Sequence, residues 1–182
     1  MKNSLKTLAF VALFLTGGFV SQAQAQVDVM VNPIGLLFGN LGASADFMLA
    51  DNLSVEGQIG IGFGDDGAFD YFNLPITAYG KYYFNPEDGA DKFYASAWLR
   101  FINRNWEGND NTFVSEYTQT RLGLGFGAGY KVVGNSGLVF DIGLGVGRAF
   151  LDNISIDNEE DIVDWPDIMF AGKLAIGYRF GR

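Results

Sequence analysis

Bulky apolar residues occupy every second position in a series of segments that begins after Gln26 and continues to the C-terminus. The clearest segment is 168–180, in which Ile, Phe, Leu and Tyr alternate with small or charged residues. In segment 122–132 the alternate positions are mostly glycine. A period of two residues is typical of a β-strand that presents two different faces. The sequence therefore predicts an all-β fold.

Eight segments with this alternation can be delimited. They predict strands at 29–37, 41–49, 53–63, 73–84, 93–101, 122–132, 138–150 and 168–180. From the third link onward, short links alternate with long ones, and the long links are 64–72, 104–116 and 151–167. Membrane barrels have this asymmetry, with short periplasmic turns and long extracellular loops. We therefore expect an eight-stranded antiparallel up-and-down transmembrane β-barrel.

Side-chain volume predicts which face points inward. The interior of an eight-stranded barrel is only wide enough for side chains to fill it, and about five large apolar residues per strand would overfill it. The opposite face is rich in glycine and leaves room for Tyr79, Tyr94, Trp98 and the long cationic side chains. A soluble exterior normally carries many charged residues, which this glycine-rich face lacks. We expect the apolar face to contact lipid.

The charged residues on the inward face form the candidate site. They are Asp46, Glu56, Lys81, Arg100, Arg121, Asp141, Lys173 and Arg179, and Lys131 lies near a periplasmic end. Buried charges need partners of opposite sign, so we expect a salt-bridged plug with a structural role. The pattern predicts no catalytic, cofactor-binding or metal-binding residue.

Residues 1–25 have the features of a cleaved signal peptide. Lys2 and Lys6 precede the apolar run 8–15, and the sequence Ala-Gln-Ala at 23–25 fits a signal-peptidase site. A membrane anchor is less favoured, because a spanning helix needs about 20 apolar residues. We expect residues 26–182 to form a single exported barrel domain.

The composition excludes several classes of function. The chain contains neither His nor Cys, which excludes His-dependent catalytic triads, His-ligated zinc or haem, iron–sulfur clusters and disulfides. The formal net charge is −9, from 12 basic and 21 acidic residues, and nucleic-acid binding requires clustered basic residues. We therefore predict a protein that is not an enzyme, needs no cofactor and binds no nucleic acid.

The last long link, 151–167, contains seven acidic residues and no basic residue. It lacks the ligand spacing of an EF-hand calcium loop, so a solvated surface loop is the favoured interpretation, with bridging by divalent cations or a receptor face as alternatives. Trp106 and Trp165 are placed in outer loops. We expect them to pack over the rim of the barrel, and a role in recognition is the alternative.

The C-terminal segment 174–180 alternates apolar residues and ends on Phe180, with Gly181 and Arg182 following. Together with the preceding strands, it resembles the small outer-membrane β-barrel family and is similar to the transmembrane domain of the outer-membrane protein A group. The resemblance implies that this strand is an assembly signal for the outer-membrane insertion machinery. It also implies a monomer in the outer membrane of a Gram-negative bacterium, in contact with lipid and lipopolysaccharide.

These features favour a structural or surface-interaction role through acidic extracellular loops. The alternatives are a periplasmic lipocalin-like barrel that binds small ligands and a narrow pore. A lipid-modifying enzyme is disfavoured, because the barrels resembling lipid A deacylase, palmitoyltransferase or the outer-membrane phospholipase use a histidine, and this chain has none.

Overall fold

The computed structural model describes residues 26–33, 39–65, 69–108, 116–156, 159–160 and 167–181. The predicted signal peptide 1–25, the segment 34–37 of the first predicted strand, and Trp165 lie outside the described residues. Within these ranges the chain has no helix of the length and apolar character that would cross a membrane.

The described residues form strands connected in simple order. The strands are β1 (Val27–Asn32), β2 (Asn40–Ala50), β3 (Leu53–Asp65), β4 (Phe69–Tyr83), β5 (Lys92–Gly108), β6 (Glu116–Val133), β7 (Leu138–Ile156), β8 (Glu159–Glu160) and β9 (Ile168–Phe180). From β1 to β7 each strand pairs antiparallel with the next, and β9 pairs with both β7 and β1. The two residues of β8 pair only with the end of β7. The prediction of an all-β fold with eight antiparallel strands in a ring is confirmed.

Ring closure brings the two ends of the described chain together. Val27 of β1 lies opposite Phe180 of β9, and Asp28 lies opposite Arg179. In the closed ring, each of the eight ring strands pairs with a strand on both sides, which removes the main route to edge-to-edge aggregation. The first predicted strand was placed too late in the chain, because β1 begins at Val27 and ends at Asn32, before Pro33. Proline has no backbone N–H to donate to a neighbouring strand.

Several strands are longer than the alternation predicted. The predicted loop 104–116 included 104–108 and Glu116, and the predicted strand began only at residue 122, but 104–108 and 116–121 belong to β5 and β6 and these two strands pair here. Their outward residues are polar and make hydrogen bonds across the strands, from Asn103 Nδ2 to Thr120 Oγ1 at 3.1 Å and from Thr118 Oγ1 to Asn105 Oδ1 at 2.9 Å. Backbone pairing does not require apolar side chains, so the apolar pattern ends before the strands do.

The same correction applies to the other two long links. Within 64–72, β3 extends to Asp65 and β4 begins at Phe69, and within 151–167, β7 extends to Ile156. Strands therefore occupy part of each of these two predicted loops.

The glycine-rich face of the strands points inward and the apolar face points outward, as the side-chain volumes predicted. Tyr79, Tyr94 and Trp98 are buried, whereas Phe126 and Leu144 are 69% and 77% exposed. The large inward rings fit because glycines of β6 and β7 lie against them. A Cβ atom on Gly125 would collide with the Trp98 ring and would lie 2.5 Å from the Val146 carbonyl oxygen. The glycine face is therefore part of the close packing of the interior.

Replacing Gly125 with alanine is expected to lower the free energy of unfolding by about 1–3 kcal/mol, because the added methyl group overpacks the interior beside Trp98. Gly80 provides the matched control, since a Cβ built there meets no atom within 4 Å. Gly80→Ala should be neutral or slightly stabilising. Chemical denaturation followed by circular dichroism measures both variants, and equal losses would contradict the packing argument.

Candidate functional site

Eight charged side chains meet in the interior, in the half of the barrel that contains the two chain ends. We call this set the interior charge network: Asp28, Asp46, Glu56, Lys81, Lys131, Asp141, Lys173 and Arg179. Each of these residues is at most 8% exposed. Four are acidic and four are basic, so their formal charges cancel. They come from β1, β2, β3, β4, β6, β7 and β9, which links almost the whole ring through its interior.

Lys81 lies at the centre of the network. Its Nζ is 3.0 Å from Asp46 Oδ2 and 2.9 Å from Asp141 Oδ2, and it also contacts Glu56 Oε2. Lys173 shares two of these carboxylates, with its Nζ 2.6 Å from Glu56 Oε1 and 2.6 Å from Asp141 Oδ2. Two ammonium groups are thus surrounded by three carboxylates.

Lys131 and Arg179 extend the network towards the chain ends. Lys131 Nζ lies 2.8 Å from Asp28 Oδ2 and 2.5 Å from Asp46 Oδ2. The Arg179 guanidinium donates to both oxygens of Asp28, at 2.7 and 3.0 Å, and also to the Ala90 carbonyl at 2.9 Å. Two-point contacts of this kind are the strongest arginine–carboxylate geometry. Arg179 therefore connects β9 to β1 and to the loop after β4.

Three of the four acidic residues of the network form a row across three neighbouring strands. Asp28 lies directly opposite Asp46, and Asp46 lies directly opposite Glu56. Like charges at directly opposite positions destabilise a sheet. They are compensated here by ammonium groups such as those of Lys81 and Lys131, which reach the row from other strands of the ring. The network can form only once the ring is closed.

Two tyrosines complete the network. Tyr83 donates its hydroxyl hydrogen to Asp46 Oδ2 at 3.3 Å, and Tyr94 donates to Asp141 Oδ1 at 2.8 Å. The two rings pack against each other with centroids 5.3 Å apart. Lys81 Nζ also lies 4.8 Å from the Tyr94 ring centroid, within the range of a cation–π contact. Through Tyr94, β5 joins the other strands of the network.

Six of the eight residues predicted as candidate site residues belong to this network, namely Asp46, Glu56, Lys81, Asp141, Lys173 and Arg179. Arg100 and Arg121 do not. Arg121 Nε lies 2.9 Å from Asp152 Oδ2. Arg100 donates to Thr77 Oγ1 at 2.9 Å and to the Tyr79 hydroxyl at 3.2 Å.

The sequence prediction missed Asp28 and Asp152 and left Lys131 outside the candidate set. Asp28 was missed because the first strand was started at residue 29. It lies two positions before the inward residue Met30, so extending the alternation by one period would have found it. Asp152 was assigned to a loop, because the predicted strand ended at Phe150. A register shift opposite Leu122 and Gly123 leaves both Phe150 and Leu151 exposed, so the alternation is interrupted before Asp152.

A layer of apolar and aromatic side chains lies next to the network on the side away from the chain ends. It consists of Tyr79, Trp98, Ile102, Ala149, Met169 and Ala171. Between this layer and Lys173 is a cavity of about 10 Å³ that is also lined by Tyr94 and Ser96, which is room for about one water molecule. The interior at this level is filled by side chains.

The three carboxylates around Lys81 also have the geometry of a metal-binding group. One oxygen from each of Asp46, Glu56 and Asp141 lies within 4.8 Å of the others, and carboxylate oxygens are ligands for hard cations. The Lys81 ammonium already contacts all three carboxylates. An ion at this position would have to displace it, so the arrangement favours an internal ion pair.

The fold and the site together define a closed, eight-stranded antiparallel β-barrel with a buried ion-pair network and an apolar layer in its interior. No known protein-family model matches the chain, and no curated protein matches it either.

Proposed function

We propose that this chain is a non-enzymatic outer-membrane β-barrel protein with a structural or surface-interaction role. The observation that carries the proposal is the outer surface, where large apolar side chains are exposed on every strand of the ring. Soluble monomers rarely expose apolar patches of more than a few hundred Å². Contact with lipid acyl chains would remove this apolar surface from water. The closed ring pairs the backbone N–H and C=O groups, which have no water to bind in the bilayer core.

The height of the apolar surface fits a bilayer. On β5 it runs from Phe93 to Phe101, which is about 26 Å along the strand and about 20 Å of height at a tilt of about 40°. Membrane barrels carry an apolar band about 25 Å tall with an aromatic girdle at each interface. An aromatic group of this kind lies near the chain ends, where the ring centroids of Tyr82 and Phe84 are 5.2 Å apart and those of Tyr178 and Phe180 are 5.1 Å apart.

The outer surface becomes polar beyond the other end of this band. Asn103, Asn105 and Glu107 follow Phe101 along β5, and their side chains have the outward parity of the strand. Arg148 is 79% exposed and pairs with Asp167 at 2.6 Å, a position from which its long side chain would reach the interface. The polar strand ends would extend into water on the cell surface.

The interior supports a structural role over transport. The charge network is balanced, its members are buried, and the apolar layer covers it. A lipocalin-like carrier needs an apolar cavity of ligand size, whereas this interior is charged and filled. In the proposed protein, β9 would also serve as the assembly signal, and lipid and lipopolysaccharide would surround a monomer.

Cell fractionation tests the proposal. The full chain, expressed in a Gram-negative host, should be found in the outer-membrane fraction and should migrate faster on a denaturing gel before heating than after it. External protease should cut the outer loops in intact cells and leave a periplasmic control protein untouched. Recovery of the chain with the soluble periplasmic proteins would overturn the proposal.

A further inference from the structure

One row of inward residues contributes almost no side-chain volume to the barrel interior. The row crosses four neighbouring strands of the ring through the paired residues Ser96, Gly127, Gly145 and Ala171. The adjacent row nearer the chain ends contains Tyr94 and Lys173, and the adjacent row further from them contains Trp98 and Met169. Small residues between two rows of large ones leave a gap that the side chains do not fill.

The cavity beside Lys173 lies at this gap. Its volume is about 10 Å³, and its walls include Ser96, Gly145 and Ala171 of the small row together with Tyr94 and Lys173. Trp98 forms a further part of the wall. This volume is enough for one water molecule and for no larger ligand.

The wall of the cavity contains a buried donor that lacks a partner. Trp98 is 3% exposed, and its Nε1 atom makes no hydrogen bond to any residue that the structure describes. A Cβ atom built on Gly145 would lie 2.7 Å from Nε1, and Gly145 lines the cavity, so the indole N–H lies at the cavity wall. The indole N–H can only donate. Buried donors without an acceptor are rare in folded proteins.

Two hydroxyl groups of the wall can complete the partners of a water molecule. Tyr94 donates its only hydroxyl hydrogen to Asp141 Oδ1 at 2.8 Å, so its oxygen can accept a further bond. The Ser96 hydroxyl can both donate and accept. The Lys173 ammonium is already held by two carboxylates. An internal water needs two to four polar partners, and the indole N–H and the two hydroxyl groups provide three.

We propose that this cavity is a binding site for a single internal water molecule, which accepts a hydrogen bond from Trp98 Nε1 and donates to the hydroxyl oxygens of Tyr94 and Ser96. Cavities that stay empty are lined by apolar groups, and this one is not. The water joins the aromatic layer to the interior charge network, because Tyr94 is bonded to Asp141. This site goes beyond the proposed structural role and does not depend on it.

The indole hydrogen of Trp98 reports on the water directly. The ¹⁵N-labelled folded protein in detergent micelles should give one indole signal for each of its three tryptophans, and Trp98→Phe identifies the signal of Trp98. Nuclear Overhauser spectra should show a cross-peak between this hydrogen and a bound water. A crystal structure that resolves ordered waters should place one oxygen about 3.0 Å from Nε1. An empty cavity, or an indole hydrogen without the cross-peak, would overturn the proposal.

A matched pair of variants tests the place of the water. Ser96→Val puts a methyl group at either γ position and removes the hydroxyl, so the cross-peak should be lost and the Trp98 indole hydrogen should shift upfield. Ser44→Val is the control, since Ser44 and Ser96 are each 8% exposed and Ser44 does not line the cavity. It should keep the cross-peak. Equal cross-peaks in both variants would contradict the proposal. Gel migration before and after heating shows that each variant is folded, and the unmodified protein decides the question if Ser96→Val does not fold.

Discussion

Replacing Lys81 with methionine is expected to lower the free energy of unfolding by about 3–5 kcal/mol, the usual cost of removing one partner from a buried ion pair. The Nζ atom of Lys81 contacts Asp46, Glu56 and Asp141, and the side chains of all four residues are fully buried. Methionine has a similar volume but no charge, so the three carboxylates would share only the remaining cations. Unfolding in detergent micelles, followed by circular dichroism, measures the loss.

An exposed ion pair of the same protein provides the control. Lys92 contacts Glu87, and the two side chains are 32% and 74% exposed. Lys92→Met should therefore cost less than about 1 kcal/mol. If Lys81→Met cost no more than Lys92→Met, the interior charge network would not be a stabilising element of the barrel.

A double variant separates the charge effect from packing. Adding Glu56→Gln to Lys81→Met restores the charge balance of the network, and the amide can still accept from Lys173. The double variant should be more stable than Lys81→Met alone, with a coupling energy of about 1–3 kcal/mol between the two positions. Simple addition of the two losses would indicate that Lys81 acts through its packing.

Under the proposed membrane location, replacing Leu144 with arginine is expected to destabilise the protein in a lipid bilayer by about 2–4 kcal/mol, the cost of a cation near the bilayer midplane on the lipid-facing side of a barrel. Leu144 is the most exposed large apolar residue of the described chain, at 77%. On a water-soluble barrel the same change would be neutral or favourable, because the apolar side chain would leave water. Reversible unfolding in phospholipid vesicles measures the difference.

The matched control lies on the same strand. Asn153 is also exposed on β7, nine residues further from the chain ends and beyond the apolar band. Asn153→Arg should change the stability by less than about 1 kcal/mol, since the cost of a charge falls towards the interface. Equal stability of Leu144→Arg and the unmodified protein in vesicles would contradict a membrane location.

The number of strands and the direction of their faces could be predicted from the sequence, because both depend on local information. Side chains alternate along any strand, so Tyr94, Trp98 and Lys173 share the inward face once one of the two faces is known. Residue volume supplies that choice, since the interior holds few large side chains. The same alternation places the side chains of Arg100 and Arg121 in the barrel interior, but it does not show which groups they contact.

The ends of the strands could not be predicted in this way. Asn103, Asn105, Thr118 and Thr120 are polar, and a polar outward face looks the same in the sequence whether the backbone is paired or free. These residues are paired because the ends of β5 and β6 extend equally far and lie beside each other. Asp152 was missed for another reason, because a register shift at Phe150 and Leu151 interrupts the alternation of β7.

The sequence by itself determined that this chain forms β-strands with one apolar and one glycine-rich, charged face, because a period of two is a property of each strand alone. Only the tertiary structure decided which charges meet. Asp28, Asp46 and Glu56 lie side by side on neighbouring strands, and Lys131 and Arg179 reach them only because β9 pairs with β1. Ring closure and register fix these contacts, and both are set by the whole set of strands together.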